Sequence, residues 1–92
     1  MTTKETKRNP VENYQEDISE NNFLILHNDD FHTFDYVTDA LMEICEHTFE
    51  QASQCTLIVH YKGKCDVKKG VISKLKPMKD ALIQRELNAT ID

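Results

Sequence analysis

Two short polar segments of the chain carry the side chains best suited to chemistry. Asn28, Asp29 and Asp30 stand together after a short apolar run, and His60 stands near the end of a second apolar run. Both runs have the composition of strands, which would bring the four side chains to one end of a sheet if the strands are neighbours. Two carboxylates, an amide and an imidazole would then share a small rim.

This polar cluster allows three interpretations. In the first, Asn28 and Asp29 form an Asx turn and bond only to nearby backbone amides, while Asp30 helps the following helix to begin. In the second, the carboxylates and the imidazole hold a metal ion or serve hydrolysis, although the sequence contains no His-x-x-x-His or Cys-x-x-Cys spacing. In the third, the cluster binds a cation.

The cation that best matches such a cluster is the free α-amino group of a peptide. It has a pKa of about 7.7–8.0 and is largely protonated near neutral pH. Its three N–H donors match carboxylate, amide and imidazole acceptors. Hydrogen bonds to a charged group contribute about 1.5–3 kcal/mol each, and burial of one large side chain adds a similar amount. After the cost of association, we expect an affinity of about micromolar.

Apolar periodicity and turn residues predict an α+β fold with the element order β-α-α-β-α-β, a small sheet covered by helices. The three expected strands are rich in apolar residues, many of them β-branched or aromatic, and lie at residues 23–26, 55–61 and 87–91. The central one, 55–61, can continue over residues 64–69. The three expected helices share a capping residue at their start, which is Thr33, Thr48 or Ser73. The first helix is expected to run to residue 46 and the second to about residue 54.

Length and composition indicate one globular core domain. The chain has 92 residues, of which 39% are hydrophobic and 29% charged, as is typical of a globular protein. Residues 22–92 form the expected core domain. Residues 1–21 are polar and nearly free of apolar side chains, so we expect a flexible N-terminal extension. The three cysteines are expected to be free thiols.

Charge and hydropathy argue against several classes of function. The formal net charge of −5 argues against a nucleic-acid partner, because phosphate binding needs clustered Lys and Arg. No apolar run approaches the roughly 20 residues that span a bilayer. The first residues lack the apolar core of a secretory signal. We therefore expect a cytoplasmic protein without a membrane partner.

Two longer segments carry a resemblance to a known family. They are Leu-Ile-Leu-His-Asn-Asp-Asp-Phe-His-Thr-Phe at residues 24–34 and Leu-x-Val-His-Tyr-x-Gly-Lys at residues 57–64. These segments resemble ClpS, the adaptor family of the ATP-dependent Clp protease. The match is close over residues 22–64 and looser over residues 65–92. The family fold, a small three-stranded antiparallel sheet packed with three helices, agrees with the predicted element order.

The resemblance implies roles for eleven residues. Around the α-amino group of a bound peptide it implies Asn28, Asp29, Asp30 and His60. In the pocket for the first side chain it implies Leu26, His32, Phe34, Val37, Thr56, Val59 and Leu87. Many family members have Met where this chain has Phe34 and Thr56, and Thr where it has His32. We therefore expect a pocket of altered shape.

The function implied by the resemblance is that of a non-enzymatic adaptor without a cofactor. Such an adaptor binds N-degrons, which are substrate chains whose first residue is Leu, Phe, Tyr or Trp. It delivers them for degradation to the N-terminal domain of a ClpA- or ClpC-like AAA+ unfoldase. The polar extension corresponds to the segment that the unfoldase engages during hand-off. The alternative is a structural interaction module that resembles the C-terminal domain of the ribosomal stalk protein.

Overall fold

The computed structural model describes residues 20–92, which form six elements joined by short loops. In chain order they are β1 (Asn22–His27), α1 (Phe34–Ile44), α2 (Phe49–Lys62), β2 (Lys64–Gly70), α3 (Ile72–Gln84) and β3 (Asn88–Ile91). The predicted order β-α-α-β-α-β and the α+β class are confirmed. Most of the expected extension, residues 1–19, lies outside the described part of the chain.

β1 is the central strand of a three-stranded antiparallel sheet with the order β2-β1-β3. It pairs with β2 over its whole length, with an irregularity in register after Leu24. Its last four residues, Leu24–His27, pair with β3 on the other edge. Leu24, Ile25 and Leu26 are all buried, so the apolar run at the start of the described chain forms the centre of the sheet.

An apolar core lies between the sheet and the three helices. Its largest fully buried side chains include Leu24, Leu26, Leu41, Leu75 and Leu82. Burial of each such side chain contributes about 1.5–3 kcal/mol relative to exposure. Because every helix and the central strand supply at least one residue to this core cluster, the elements are held together by one shared interior.

Capping side chains set the start of the first two helices. Thr33 accepts a hydrogen bond from the amide of Tyr36 at 3.1 Å, as expected of an N-cap. Thr48 accepts one from the amide of Gln51 at 3.1 Å, and the Gln51 side chain accepts one from the amide of Thr48 at 3.0 Å. These two bonds complete a capping box. Both predicted starts are confirmed.

The predicted strand at residues 55–61 is wrong, because this segment continues α2. The capping box begins a helix that runs for 14 residues. Its buried residues, Ala52, Thr56 and Val59, recur at spacings of four and three, which places them on one face of a helix. This burial outweighs the β propensity of the segment. His60 therefore lies in the last turn of a helix, not at the end of the central strand.

Smaller differences concern the other two helices. α1 ends at Ile44, two residues before the expected end. α3 begins after Val71, which provides no capping side chain, so the predicted cap Ser73 lies inside the first turn. Pro77 stands in the interior of α3, where its missing amide removes one backbone hydrogen bond. Within residues 20–92, no helix is long and apolar enough to cross a membrane.

Candidate functional site

A cavity of about 280 Å³ opens between the end of β1, the loop after it, the start of α1 and the last turns of α2. All eleven predicted site residues line this cavity, together with His27, Thr33 and Leu57. The structure thus brings the predicted residues together, although His60 reaches the cavity from a helix. Their roles toward a ligand stay predictions.

The floor of the cavity is apolar and buried. Leu26 is 1% exposed, and Val59 and Leu87 are buried with it. Leu26 comes from the central strand, Val59 from α2 and Leu87 from the turn before β3. Val37 is half-buried, and Phe34 at the start of α1 is 42% exposed. An apolar side chain on this floor would be removed from water, which is the main source of hydrophobic stabilisation.

The C-terminus of α2 fixes the position of His60 relative to Asn28. The helix ends at Lys62 and is capped by Gly63, whose φ of 92° is left-handed, a conformation that glycine adopts without a steric penalty. The Gly63 carbonyl oxygen accepts a hydrogen bond from the amide of Asn28 at 2.8 Å. This bond ties the end of β1 to the end of α2, so the side chains of both segments share one rim.

Asp29 is engaged by the loop that carries it. Its carboxylate accepts hydrogen bonds from the amides of Phe31 at 2.9 Å and His32 at 3.0 Å, and from His32 Nδ1 at 2.9 Å. Partial burial acts to raise the pKa of this carboxyl, but the hydrogen bonds from Phe31 and His32 overcome it and hold the pKa below its usual range. The backbone contacts of the Asx-turn interpretation are therefore present at Asp29, and the His32 ring adds a side-chain contact to them.

Asn28 and Asp30 differ from Asp29 in their contacts. Both are exposed at the rim, and neither side chain makes a hydrogen bond within residues 20–92. His60 is also exposed, and its ring meets Tyr61 edge to face with centroids 5.5 Å apart. In the described part of the chain, a carboxylate, an amide and an imidazole at the opening thus keep acceptor atoms that no protein donor occupies.

His32 and Tyr36 brace the rim behind Asp29. Their rings stack with centroids 4.7 Å apart and an interplanar angle of 20°. The Tyr36 hydroxyl donates a hydrogen bond to the carbonyl oxygen of Arg85 at 2.9 Å, and Arg85 forms an ion pair with Glu43. These contacts connect the loop at the rim to the end of α3 and to α1, so they restrict its movement.

Sequence reasoning missed three residues of the cavity, which are His27, Thr33 and Leu57. His27 Nε2 lies 2.8 Å from Thr90 Oγ1 of the neighbouring strand, and Thr33 also caps α1. Each of the three is adjacent in the chain to a predicted site residue. That adjacency is the signal that could have found them.

The fold and the cavity together define a small α+β domain whose cavity has an apolar floor and a rim of acceptors. The described residues contain no group of three or more His, Cys, Asp or Glu side chains placed to hold a metal ion. Residues 5–90 match the family model of the ATP-dependent Clp protease adaptor protein ClpS. Because this match spans most of the sequence, the chain belongs to the ClpS family.

Curated relatives carry the same description. The ATP-dependent Clp protease adapter protein ClpS of Erwinia tasmaniensis is 44% identical over 41 residues, which are 45% of this chain and 39% of that protein. The ClpS of Pectobacterium carotovorum is 34% identical over 55 residues, which are 58% of this chain and 52% of that protein. The chain thus spans about half, or less, of the length of these relatives.

A solved structure shares the fold. The structure of Agrobacterium tumefaciens ClpS2 bound to L-phenylalaninamide is similar with a TM-score of 0.66, and the likeness covers 77% of this chain and 93% of that chain. The sequence identity is 19%. At this identity the likeness concerns the fold.

Proposed function

We propose that this protein is a non-enzymatic adaptor that binds the N-terminal residue of substrate proteins and delivers them to a Clp-type unfoldase in the cytoplasm. One observation carries the proposal: a buried apolar floor and a rim of unengaged acceptors belong to the same cavity. A free chain terminus has the matching parts, because an apolar first side chain and an α-ammonium group are attached to the same Cα atom.

The rim of the cavity matches the α-ammonium group. Asp30 supplies an acceptor with a negative charge, Asn28 supplies an amide oxygen, and His60 in its neutral form supplies a ring nitrogen. Three acceptors suit the three donors of an ammonium group. Because the carboxylate of Asp29 is already bound by its own loop, its part is to shape the rim and to add negative potential beside the ammonium group.

The floor of the cavity matches one large apolar side chain. The volume of about 280 Å³ lies just below the range for small-molecule sites, about 300–1,000 Å³, and suits a single residue. Burial of a Leu or Phe side chain there contributes about 1.5–3 kcal/mol. The Agrobacterium ClpS2 structure supports this assignment, because its ligand, L-phenylalaninamide, has both a free α-amino group and an aromatic side chain.

Membership of the ClpS family supports the delivery step, because the family is described as a Clp protease adaptor. The ligands of the cavity are then N-degrons that begin with Leu, Phe, Tyr or Trp. The partner that receives them is the N-terminal domain of a ClpA- or ClpC-like unfoldase. In this scheme the protein performs no chemistry on its substrates, and an affinity of about micromolar lets it release them.

A titration with labelled peptides that differ only in their first residue tests the proposal. Each peptide is prepared with a free and with an acetylated amino terminus, and binding is followed by fluorescence anisotropy. Free-amine peptides that begin with Leu, Phe, Tyr or Trp should bind with dissociation constants of about micromolar. Their acetylated forms should not bind measurably, because acetylation removes the charge and all but one donor. Equal binding of the two forms would refute the ammonium site.

A further inference from the structure

Two buried threonines join the helices that form walls of the cavity. Thr56 on α2 lines the cavity and is 5% exposed. Thr38 on α1 is 2% exposed and lies behind the wall, since it is not among the lining residues. Within residues 20–92 these are the two buried polar side chains. Burial of a hydroxyl is unfavourable unless it is hydrogen-bonded, so each of these two hydroxyls needs a hydrogen-bond partner inside the protein.

The two hydroxyls form a directed chain of hydrogen bonds. Thr56 Oγ1 donates to the carbonyl oxygen of Ala52 at 2.8 Å, one turn earlier in α2. Thr38 Oγ1 lies 3.0 Å from Thr56 Oγ1. A hydroxyl has only one hydrogen, and that of Thr56 is given to Ala52, so Thr38 is the donor between the two threonines. Thr56 is thus held both by its own helix and by α1.

This chain of hydrogen bonds selects one rotamer of Thr56. A threonine in a helix divides between two χ1 rotamers, because its hydroxyl can bond a carbonyl in the preceding turn. Exchange between them moves the methyl group and the hydroxyl, and this changes the shape of the cavity wall. The donor from Thr38 stabilises the rotamer in which Oγ1 faces α1. The wall therefore keeps one shape, and neither threonine has a hydroxyl hydrogen left for a ligand.

We infer that Thr38 is a positioning residue for the selectivity of the cavity and acts through Thr56. The inference rests on the proposed function and specifies how the site distinguishes first residues. A wall of fixed shape discriminates between side chains of different width, such as Phe, which is unbranched at Cβ, and Val, which is branched there. Without the Thr38 hydroxyl the wall adapts to either side chain, and the discrimination falls.

The test compares two free-amine peptides that begin with Phe or Val and are otherwise identical, bound to the full chain. Wild type should bind the Phe peptide more tightly by roughly tenfold or more, the size of effect that small differences in apolar groups produce. In Thr38→Val, which replaces the hydroxyl by a methyl of similar size, this ratio should fall by about threefold or more, as for coupled residues in contact. In Thr38→Ser, which keeps the donor, the wild-type ratio should remain.

A double variant separates action through Thr56 from a general loosening of the core. In Thr56→Val both branches are methyl groups, so rotamer exchange no longer replaces a methyl by a hydroxyl at the wall. Addition of Thr38→Val to Thr56→Val should leave the ratio of the two peptides unchanged. Cooperative thermal unfolding checks that each variant is folded. If Thr38→Val is not, Thr38→Ala takes its place, because it also removes the hydroxyl.

The contrary outcomes are distinguishable. The same ratio in wild type and Thr38→Val overturns the inference and leaves the adaptor function in place. An equal change of the Phe-to-Val affinity ratio in Thr38→Ser and Thr38→Val shows a general packing effect and also overturns the inference. A further change of this ratio when Thr38→Val is added to Thr56→Val has the same meaning. Failure of wild type to bind any free-amine peptide overturns the proposed function, and the inference with it.

Discussion

Asp29 and Asp30 are adjacent in the chain, but only the carboxylate of Asp29 is bound by its own loop. The Asp30 carboxylate is available to an ammonium group, so Asp30→Ala should weaken binding of a Phe-first peptide by about 1.5–3 kcal/mol. The free energy of unfolding should hardly change. Peptide titration and denaturant unfolding measure the two effects.

Asp80→Ala is the control for Asp30→Ala. It removes a negative charge from an exposed position of α3 outside the cavity and should leave the affinity for the peptide unchanged. An equal loss of affinity in both variants would indicate an effect of net charge only.

Asp29 is expected to affect stability in a pH-dependent way. Partial burial opposes ionisation, but the hydrogen bonds from Phe31 and His32 leave its pKa below the usual range. The ionised form therefore stabilises the fold above the ordinary aspartate pKa of about 3.9, and this contribution is lost as the pH falls through the lowered value.

At about pH 7, Asp29→Ala should lower the free energy of unfolding by about 1–3 kcal/mol through lost hydrogen bonds to a charged group. The difference from wild type should shrink below about pH 4. Denaturant unfolding at about pH 7 and at about pH 3 measures both values. An equal difference at the two pH values would contradict the role assigned to the ionised carboxylate.

Phe34 is expected to set the preference between aromatic and aliphatic first residues. Its ring is partly exposed at the cavity, where an edge-to-face contact with an aromatic ligand adds about 0.5–1.5 kcal/mol. Peptides that begin with Phe or Tyr should bind at least as tightly as those that begin with Leu. Phe34→Met should shift the preference toward Leu, and Phe34→Ala should weaken every ligand.

Phe49 provides a matched control for Phe34. It also follows a capping threonine as the first residue of a helix, and it is exposed outside the cavity. Phe49→Met should leave the ratio of Leu to Phe affinity as it is in wild type. If Phe34→Met gave that same unchanged ratio, Phe34 would not contact the ligand.

At the scale of elements, the features that could be predicted from the sequence depend on contacts between residues a few positions apart in the chain. The starts of α1 and α2 could be predicted, because Thr33 and Thr48 bond to residues three positions away. Residues 55–61 could not, because their β propensity is a local property, whereas the burial of Thr56 and Val59 depends on the packing of α2 against α1 and β2. Propensity scales span only about 1 kcal/mol, less than the burial of one large side chain.

The residues that line the cavity were predicted better than the secondary structure of α2, which carries three of the predicted ones. The resemblance to ClpS gives residue positions directly, so His60 could be placed beside Asn28 even though its segment was expected to be a strand. Composition and spacing alone indicated only the polar cluster. The partnership of Thr38 with Thr56 could not be predicted, because the two are 18 residues apart and Thr56 lies in the segment that was expected to be a strand.

Substitution of Gly63 tests whether the C-terminal end of α2 positions the side chains at the rim of the cavity. A Cβ at this position would meet no atom within 4 Å, but φ is +92°. Gly63→Ala should therefore cost about 1–2 kcal/mol of stability through backbone strain alone and should weaken peptide binding by moving the carbonyl that holds Asn28. Gly63→Asn should cost less, because Asn tolerates this conformation better.

Gly70 is the matched control for Gly63, since the chain has two glycines. A Cβ on Gly70 would lie 4.0 Å from a Leu75 methyl group, an ordinary contact, and its φ is not positive. Gly70→Ala should leave stability and binding nearly unchanged. Thermal unfolding and peptide titration of the three variants measure the differences. Equal effects of the two Gly→Ala changes would mean that the left-handed end of α2 is not needed at the rim.

At the scale of the whole molecule, the cavity is formed by most elements of the fold together. The cavity takes residues from β1, the following loop, α1, α2 and the turn before β3. The same apolar side chains, such as Leu26 and Val59, close the cavity floor and fill the core. Peptide binding should therefore be lost together with the cooperative fold, whereas the proposed delivery to an unfoldase is expected to need a further segment.

Deletion of residues 1–19 should separate binding from delivery. The cavity residues lie between Leu26 and Leu87, and the buried core of the described residues lies between Leu24 and Ala89. The truncated protein should therefore bind a Phe-first peptide with an unchanged dissociation constant and unfold at an unchanged temperature. Degradation of a reporter protein with an N-terminal Phe by the cognate Clp unfoldase and peptidase should collapse, because the resemblance implies that the unfoldase engages this extension. A variant whose residues 1–19 are replaced by Gly and Ser at equal length shows whether degradation depends on the sequence of the extension or only on its length. Undiminished degradation with the truncated protein would show that hand-off does not use the extension.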